Sequence, residues 1–229
     1  MHVGRSLWNR RIPMRDGIEV AADVMLPQGE GPFPTVVLRP PYVRGRHLNN
    51  PASFGQLVDH GYAFVTVDLR GRNDSDGEWM PWIKDCDDAF DAIEWIAEQG
   101  WCTGKIGMIG GSYEGMTQWW TAAARPPHLT CIAPSAIGGL CHPTFSFNRG
   151  IPLQYWMWWM AMVNGKTGQY PGAASWEDGM GHLPLKTLDH RFGLTGTAWQ
   201  RYVNDEIDIN TPAGTLLPEE FAAIDIPVS

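Results

Sequence analysis

Apolar, β-branched runs alternate with helical patterns in the N-terminal part of the chain, and this alternation constrains the fold most. The runs TVVLRPPY (35–42) and YAFVTVD (62–68) lack a regular polar alternation, which is typical of strands buried on both faces. Apolar residues recur at helical spacing over 85–99, and a second helix is predicted over 113–124. The run LTCIAPSAI (129–137) predicts another buried strand. Strands that alternate with helices predict an α/β fold with a mostly parallel, doubly wound sheet.

A hairpin precedes these units. The stretch RRIPMRDGIEVAADVMLP contains two strand-like runs on either side of Asp16-Gly17. This dipeptide suits the positive φ angles of a tight hairpin turn. The sheet is therefore expected to begin with an antiparallel pair.

The stretch KIGMIGGSYEG (105–115) places a single serine, Ser112, between a predicted strand and a predicted helix. A sharp reversal of this kind needs glycines where side chains would collide. In the nucleophile-elbow pattern G-x-S-x-G, such a turn exposes the serine Oγ above the edge of the sheet. Gly110 fits that pattern, but Glu114 stands where the second glycine belongs and Gly115 comes one residue later. From these residues alone, Ser112 is either a nucleophile or a cap of the following helix.

Composition limits the classes of partner. The 229 residues carry a formal net charge of −8 and no cluster of basic residues, so we expect no nucleic-acid partner. The longest apolar stretch, IPLQYWMWWMAMV, is too short to span a bilayer, and we expect no membrane partner. The N-terminal stretch lacks the apolar core of a secretory signal, which favours a cytoplasmic location. Oligomeric state is not indicated.

No cofactor or metal ion is expected. The sequence contains neither G-x-G-x-x-G nor a P-loop. The four cysteines form no C-x-x-C pair and are predicted to be free thiols. His182 and His190 do not have the spacing of a compact zinc signature. Charged residues in the loop DLRGRNDSDG (68–77) are predicted to form structural ion pairs and turns rather than to act in catalysis.

After about residue 141 the sequence no longer contains convincing buried-strand patterns until about residue 222. We predict an α/β core over 1–141, a mostly helical insertion over 142–222, and the start of another core strand over 223–229. The insertion contains the cluster YWMWWM (155–160). Aromatic and methionine side chains of this kind either pack in a core or line an apolar pocket.

From Arg11 to about Gly139 the chain resembles the α/β-hydrolases of the cocaine esterase and X-Pro dipeptidyl-peptidase group, the CocE/NonD hydrolases. The resemblance rests on several motifs in one order: MRDGIEVAADVMLP, RPPY, VDLRGRNDSDGEW, AIEWIAEQGWCTGKIGMIGGSYEG and the late IDIPV. The elbow of this family is G-x-S-Y-x-G, which GGSYEG fits in full. Asn73 is a departure, because the family usually has a glycine there. The resemblance implies an α/β-hydrolase fold with a helical cap.

The resemblance also implies the roles of individual residues. Ser112 would be the acyl-accepting nucleophile of a serine esterase, amidase or peptidase that acts on a small-molecule ester or amide. The backbone N–H of Tyr113 and the hydroxyl of Tyr42 would hold the oxyanion. The residues themselves favour a different role, in which Tyr42 packs on its neighbouring prolines. The wall of the acyl pocket would be formed by four residues of the cluster: Trp156, Trp158, Trp159 and Met160.

A serine hydrolase of this architecture also needs an acid and a base, in the chain order Ser, Asp, His. By the resemblance, the acid would follow the carboxyl end of a strand whose beginning resembles IDIPVS (224–229), and Asp225 lies too early in the chain to be that acid. We therefore expect 1–229 to be the front portion of a longer enzyme and nearly inactive by itself. An X-Pro dipeptidyl-peptidase is an alternative within this class. A chain that binds a ligand or partner without catalysis is the alternative from another class.

Overall fold

The computed structural model describes residues 3–44, 55–81, 83, 85–137, 153–168, 179–194, 198–203 and 216–229. Six strands in this part of the chain form one sheet, with the spatial order β1-β2-β4-β3-β5-β6. Their bounds are β1 Val3–Pro13, β2 Glu19–Pro27, β3 Phe33–Leu38, β4 Ala63–Val67, β5 Cys102–Gly111 and β6 Leu129–Ser135.

The first two strands form the predicted antiparallel hairpin, in which Ile12 pairs with Val20. Gly17 adopts a φ of +92° in the turn, and its N–H donates to the Met14 carbonyl at 2.9 Å. Because a side chain strains this conformation, the glycine explains why the chain reverses at this point. The prediction of a hairpin at Asp16-Gly17 is confirmed.

The remaining strands form the predicted doubly wound part of the sheet. Strand β2 pairs with β4 in antiparallel fashion, whereas the β4/β3, β3/β5 and β5/β6 pairs are parallel. Strand β4 lies on one side of β3, and β5, the next strand along the chain, lies on the other side of β3. The order therefore reverses beside β3, and the carboxyl ends of β3 and β5 flank the reversal. An open α/β sheet binds ligands at such a switch point.

Strand β6 is less buried than the sequence predicts. Leu129 and Ile132 are buried, but Thr130 and Cys131 are exposed. Within the described residues β6 has a regular ladder only with β5, on one of its edges. On the other edge a single parallel bridge joins Ile132 to Val228, near the end of the chain. The apolar run thus predicts the strand correctly but overestimates how much of it is covered.

Seven described α-helices accompany the sheet. They are α1 Gly55–Asp59, α2 Cys86–Ala97, α3 Tyr113–Ala124, α4 Leu153–Met162, α5 Leu188–Arg191, α6 Ala198–Val203 and α7 Pro218–Ala222, with one 3₁₀ turn at Leu185–Thr187. Helix α3 has the predicted bounds because the Ser112 elbow begins it and Arg125, with a φ of +55°, ends it before Pro126. None of the described helices is long and apolar enough to cross a membrane.

Helix α4 joins two hydrophobic clusters. Trp159, Met160 and Val163 belong to the main core, together with residues of the sheet and α3. Met157 and Ala161 pack instead with a second cluster, whose other buried members are Leu188, Phe192, Leu194 and Trp199. One side of α4 therefore packs on the main core and the other on the second cluster. The predicted boundaries at 141 and 222 stay predictions.

Candidate active site

Ser112 lies in a strained turn between β5 and α3. Its φ and ψ are 58° and −126°, a conformation that a non-glycine residue adopts only when the surrounding structure holds it there. Its N–H donates to the Ser135 carbonyl at 2.9 Å, and its own carbonyl accepts the N–H of Gly115 at 2.9 Å. The side chain is exposed, and no described side chain hydrogen-bonds its hydroxyl. This is the geometry of a nucleophile elbow.

Two glycines make this turn possible. Gly110 has a φ of +138°, and a Cβ there would lie 2.6 Å from the Cβ of Glu114 and 2.8 Å from the Cδ1 of Leu38. At Gly115 a Cβ would lie 2.3 Å from the Cγ2 of Ile137. Such contacts are too short for any side chain. The second glycine is thus required one residue later than in G-x-S-x-G, where α3 passes close to the chain that follows β6.

Tyr42 lies at the same edge of the sheet as Ser112. It follows β3 by four residues, and Ser112 follows β5 directly. Three hydrogen bonds fix this segment. The indole Nε1–H of Trp159 donates to the Tyr42 hydroxyl at 3.3 Å, Asn73 Nδ2 donates to the Tyr42 carbonyl at 3.0 Å, and Arg72 Nε donates to the preceding Pro41 carbonyl at 2.7 Å. Both ends of the tyrosine are therefore held.

Aromatic rings surround Tyr113, whose side chain is buried. Trp159 stacks on it with a centroid distance of 5.7 Å and an interplanar angle of 19°. Trp120 approaches its edge, and Trp79 contacts it at a tilt. Trp159 is therefore a shared neighbour of Tyr113 and Tyr42, on which the sequence analysis places the two oxyanion donors.

The structure places the predicted pocket residues of α4 in different environments. Trp158 is 44% exposed, whereas Trp159 and Met160 are 4% and 2% exposed. Trp156 lies in α4, but its side chain is outside the described part of the structure. The pocket role of these residues, and the roles of Ser112, Tyr113 and Tyr42, stay predictions.

Asn73 stands where the family usually has a glycine, and its backbone explains that preference. Its φ is +46°, a left-handed conformation that asparagine tolerates better than most residues. Besides Tyr42, its Nδ2 donates to Asp68 Oδ1 at 2.8 Å, and its N–H donates to the Lys166 carbonyl at 2.5 Å. The asparagine therefore keeps the turn and links the Tyr42 segment to two other parts of the chain.

A buried ion network continues this link. Arg44 donates to Asp23 at 2.9 Å, to Asp74 at 2.8 Å and to Asp68. Burial raises the pKa of Asp68 to about 7, although the positive charge of Arg44 and the hydrogen bond from Asn73 oppose the rise. The pKa of the buried Arg72 is lowered to about 10 by desolvation, with a partial offset from the charge of Asp68.

The Asp68 carboxyl makes stability depend on pH. Its folded pKa of about 7 lies above its ordinary value of 3.8, so the folded protein retains a proton that the unfolded chain releases. The contribution of the protonated Asp68 carboxyl to the free energy of unfolding is complete below the ordinary pKa of 3.8, and it is lost as pH rises through the folded pKa of about 7. Between these values the free energy of unfolding falls by up to about 1.4 kcal/mol per pH unit. Thermal unfolding from about pH 5 to 8 should show the wild-type midpoint falling relative to Asp68→Asn. Parallel curves for the two proteins would contradict the assignment.

Arg70 and Asp76, also considered in the sequence analysis, take part in ion pairs. Arg70 makes two hydrogen bonds to Asp88, at 2.8 and 2.6 Å, and Asp76 pairs with Arg11 at 2.6 Å. The Asp88 side chain of this pair is buried, and its contacts with Arg70 fix the loop after β4. These contacts agree with the predicted structural role.

None of the described histidines hydrogen-bonds to Ser112. His60 and His128 precede β4 and β6, so they lie at the amino ends of parallel strands, on the edge opposite Ser112. His128 contacts Glu94 at 2.7 Å there. His182 contacts Thr187 at 2.8 Å, and the side chain of His190 is 59% exposed. The described residues hold no group of three potential metal ligands.

Trp159, Arg72 and Asn73 are partners of the Tyr42 segment that the sequence does not predict. Trp159 is 117 residues away from Tyr42 in the chain, so no local pattern relates them. Arg72 and Asn73 lie in the loop that was predicted to be structural. The departure from glycine at Asn73 was the one signal that pointed to this site.

Comparisons with known proteins identify the family of this chain. The model of the X-Pro dipeptidyl-peptidase (S15) family matches residues 16–205. Cocaine esterase from Rhodococcus sp. (strain MB1 Bresler) is 35% identical over 160 residues, which are 68% of this chain and 28% of that protein. A CocE/NonD family hydrolase from Staphylococcus aureus is similar in structure, with a TM-score of 0.50 and 32% identity over 56% of this chain and 26% of the other.

An aminopeptidase from a marine sediment Thaumarchaeota archaeon shares the fold. Its TM-score is 0.63 at 22% identity, over 75% of this chain and 33% of the other. The chain thus spans between a quarter and a third of the length of these relatives. The match of the family model to most of the chain, together with the α/β-hydrolase fold, shows that the chain belongs to the X-Pro dipeptidyl-peptidase (S15) family of hydrolases.

Proposed function

We propose that this chain carries the nucleophile of a serine hydrolase that cleaves an ester or amide bond through an acyl-enzyme on Ser112. The observation that carries the proposal is the exposed Ser112 in a strained turn, with a φ of 58°, at the carboxyl end of β5. Strain of this kind is retained where the position of one group matters more than the stability of the turn.

The reaction has two halves. In the first, the Oγ of Ser112 attacks the acyl carbon, its proton passes to a general base, and the intermediate expels an alcohol or amine that takes up this proton. In the second, water attacks the acyl-enzyme, and the released acid leaves Ser112 with its hydroxyl restored. Both halves pass through a tetrahedral oxyanion.

The N–H of Tyr113 and the hydroxyl of Tyr42 hold this oxyanion. Two observations support the pairing: Tyr42 and Ser112 follow adjacent parallel strands, and the buried Trp159 contacts both tyrosines. Donors that are already in place stabilise the charge without reorganisation when the reaction occurs.

The acid and base that complete the site lie outside the described residues. Asp189, the buried acid of α5, accepts hydrogen bonds from Gln200 at 2.8 and 2.9 Å and joins α5 to α6. The described histidines lie at the opposite edge or in the insertion. If the base is a histidine, kcat/KM should fall below about pH 6.5.

The substrate is a small ester or amide, and X-Pro peptides are the second candidate. The name of the matched family favours the peptides, whereas the similarity to cocaine esterase favours esters. Turnover of p-nitrophenyl acetate and of an Xaa-Pro p-nitroanilide by the natural full-length gene product separates the two.

Covalent labelling tests the proposed function. The full-length protein, treated with a fluorophosphonate, should gain the mass of one phosphonyl group, and peptide mapping should place it on Ser112. A protein that is neither labelled nor able to turn over either substrate would instead bind a ligand or partner without catalysis.

Trp158 tests the proposed acyl pocket. Because this side chain is 44% exposed, Trp158→Ala should change packing little and act mainly on bound substrate. We expect kcat/KM for a phenyl-substituted ester to fall roughly tenfold relative to that for an acetate ester, since an aromatic contact to the larger acyl group is lost. Steady-state kinetics with the two esters measures this ratio. An unchanged ratio would remove Trp158 from the pocket.

A further inference from the structure

We propose that Trp159 is a positioning residue that holds Tyr42 as an oxyanion donor. This inference rests on the proposed function, because it needs the Tyr42 hydroxyl to act in the reaction. The sequence analysis gave Trp159 a place in the pocket wall only. Its buried contacts indicate a different task.

The first contact concerns the direction of a proton. An indole Nε1–H can only donate, whereas a phenol hydroxyl both donates and accepts. The hydrogen bond of 3.3 Å from Trp159 to the Tyr42 hydroxyl therefore uses an acceptor position of the phenol oxygen. The tyrosine O–H must then point away from the indole. Accepting one hydrogen bond also makes this hydroxyl a better donor for the next.

The second contact concerns the other donor. The ring of Trp159 stacks on that of Tyr113, whose backbone N–H follows Ser112 directly. Both rings are almost fully buried. Trp159 thus contacts the two residues on which the proposed oxyanion hole depends. A rigid, buried ring between them fixes their separation.

The third observation concerns the support of Trp159 itself. The residue directly after α4 is tied to the Tyr42 segment by Arg72, whose Nη1 donates to the Val163 carbonyl at 2.8 Å while its Nε donates to the Pro41 carbonyl at 2.7 Å. The N–H of Asn73 also donates to the carbonyl of Lys166, just beyond α4. Because these bonds join the segment directly after α4 to the residues beside Tyr42, they limit how far the indole and the phenol can move apart.

Removal of the indole N–H tests the proposal in the natural full-length protein. Trp159→Phe removes the donor and part of the ring, and replacement of Trp159 by β-(3-benzothienyl)alanine removes the donor while keeping the ring shape. For both variants we expect kcat for p-nitrophenyl acetate to fall roughly 10- to 100-fold, because a donor that is misplaced by even 1 Å loses most of its effect. KM should change less than about threefold, since the loss falls on the transition state.

Trp199→Phe is the matched control. Trp199 is also a buried tryptophan, and its Nε1–H donates to the Leu185 carbonyl at 3.1 Å in the second cluster, away from Tyr42. This variant should lower the midpoint of thermal unfolding and leave kcat within about twofold of wild type. The comparison separates the loss of a buried hydrogen bond in general from the loss of this one.

The decisive measurement repeats both Trp159 replacements in a Tyr42→Phe background. If Trp159 acts through the Tyr42 hydroxyl, kcat should fall less than about twofold further there. The proposal would be overturned if the kcat losses of the Trp159 and Tyr42 replacements multiply in the double variant. A benzothienyl variant with wild-type kcat would also overturn it. A Tyr42→Phe protein with wild-type kcat would instead refute the oxyanion role of Tyr42, and with it the basis of this inference.

Discussion

Ser112→Ala will abolish fluorophosphonate labelling of the full-length protein and lower kcat/KM for p-nitrophenyl acetate by about 10⁴-fold or more. Alanine removes the Oγ that we propose forms the acyl-enzyme. Residual turnover should remain above the uncatalysed rate, because the oxyanion donors and the binding pocket are retained. Intact mass and initial rates measure the two effects.

Ser135→Ala is the control for this prediction. Ser135 is an exposed serine at the end of β6, on the same edge of the sheet, and its main-chain carbonyl, which accepts the Ser112 N–H, is retained in the variant. The variant should still be labelled at Ser112. Transfer of the label to another serine, or unchanged labelling of Ser112→Ala, would refute the assignment of the nucleophile. Circular dichroism of each variant should match wild type, because neither side chain is buried.

Tyr42→Phe will lower kcat by about 100- to 1,000-fold, with KM changed less than about threefold. The phenylalanine keeps the ring and its packing but loses the hydroxyl that we propose donates to the oxyanion. Because the oxyanion exists only in the intermediate and the flanking transition states, the loss should fall on kcat. Steady-state kinetics over a range of substrate concentrations separates the two constants.

Labelling by the fluorophosphonate gives the control for Tyr42. The Tyr42→Phe protein should still be labelled at Ser112, although more slowly, because the nucleophile and the Tyr113 N–H are intact. If kcat falls by less than about threefold, Tyr42 has only a packing role. A large rise in KM with unchanged kcat would place Tyr42 in substrate binding.

Much of the sheet could be predicted from local patterns. The hairpin at Asp16-Gly17 and the bounds of α3 follow from residues that are adjacent in sequence. The elbow could also be predicted from the sequence. Gly110 and Gly115 lie within a few residues of Ser112, and a Cβ at either position would clash with its neighbours. Apolar runs located the strands, but they did not show that β6 has exposed residues, since coverage of a strand depends on what lies beside it.

The residues of the candidate site also differ in whether local sequence patterns identify them. Ser112 could be singled out because its turn is encoded by its neighbours. Tyr42 needed the resemblance to a family, since a tyrosine after two prolines has no local signature of catalysis. Asn73 could be recognised only as a departure from that family, and its hydrogen bonds to Tyr42 and Asp68 could not be anticipated.

Local residues specify the succession of strands and helices along the chain, the hairpin and the strained serine turn, because backbone conformation depends on nearby residues. Tertiary structure alone decided which side chains surround that turn. The hydrogen bond from Trp159 to Tyr42 joins residues that are 117 apart in the sequence, and Arg44 contacts carboxylates from two separate parts of the chain, β2 and the loop after β4. Contacts of this kind arise when packing brings distant elements together in one register, and burial then sets their strength and the pKa of groups such as Asp68.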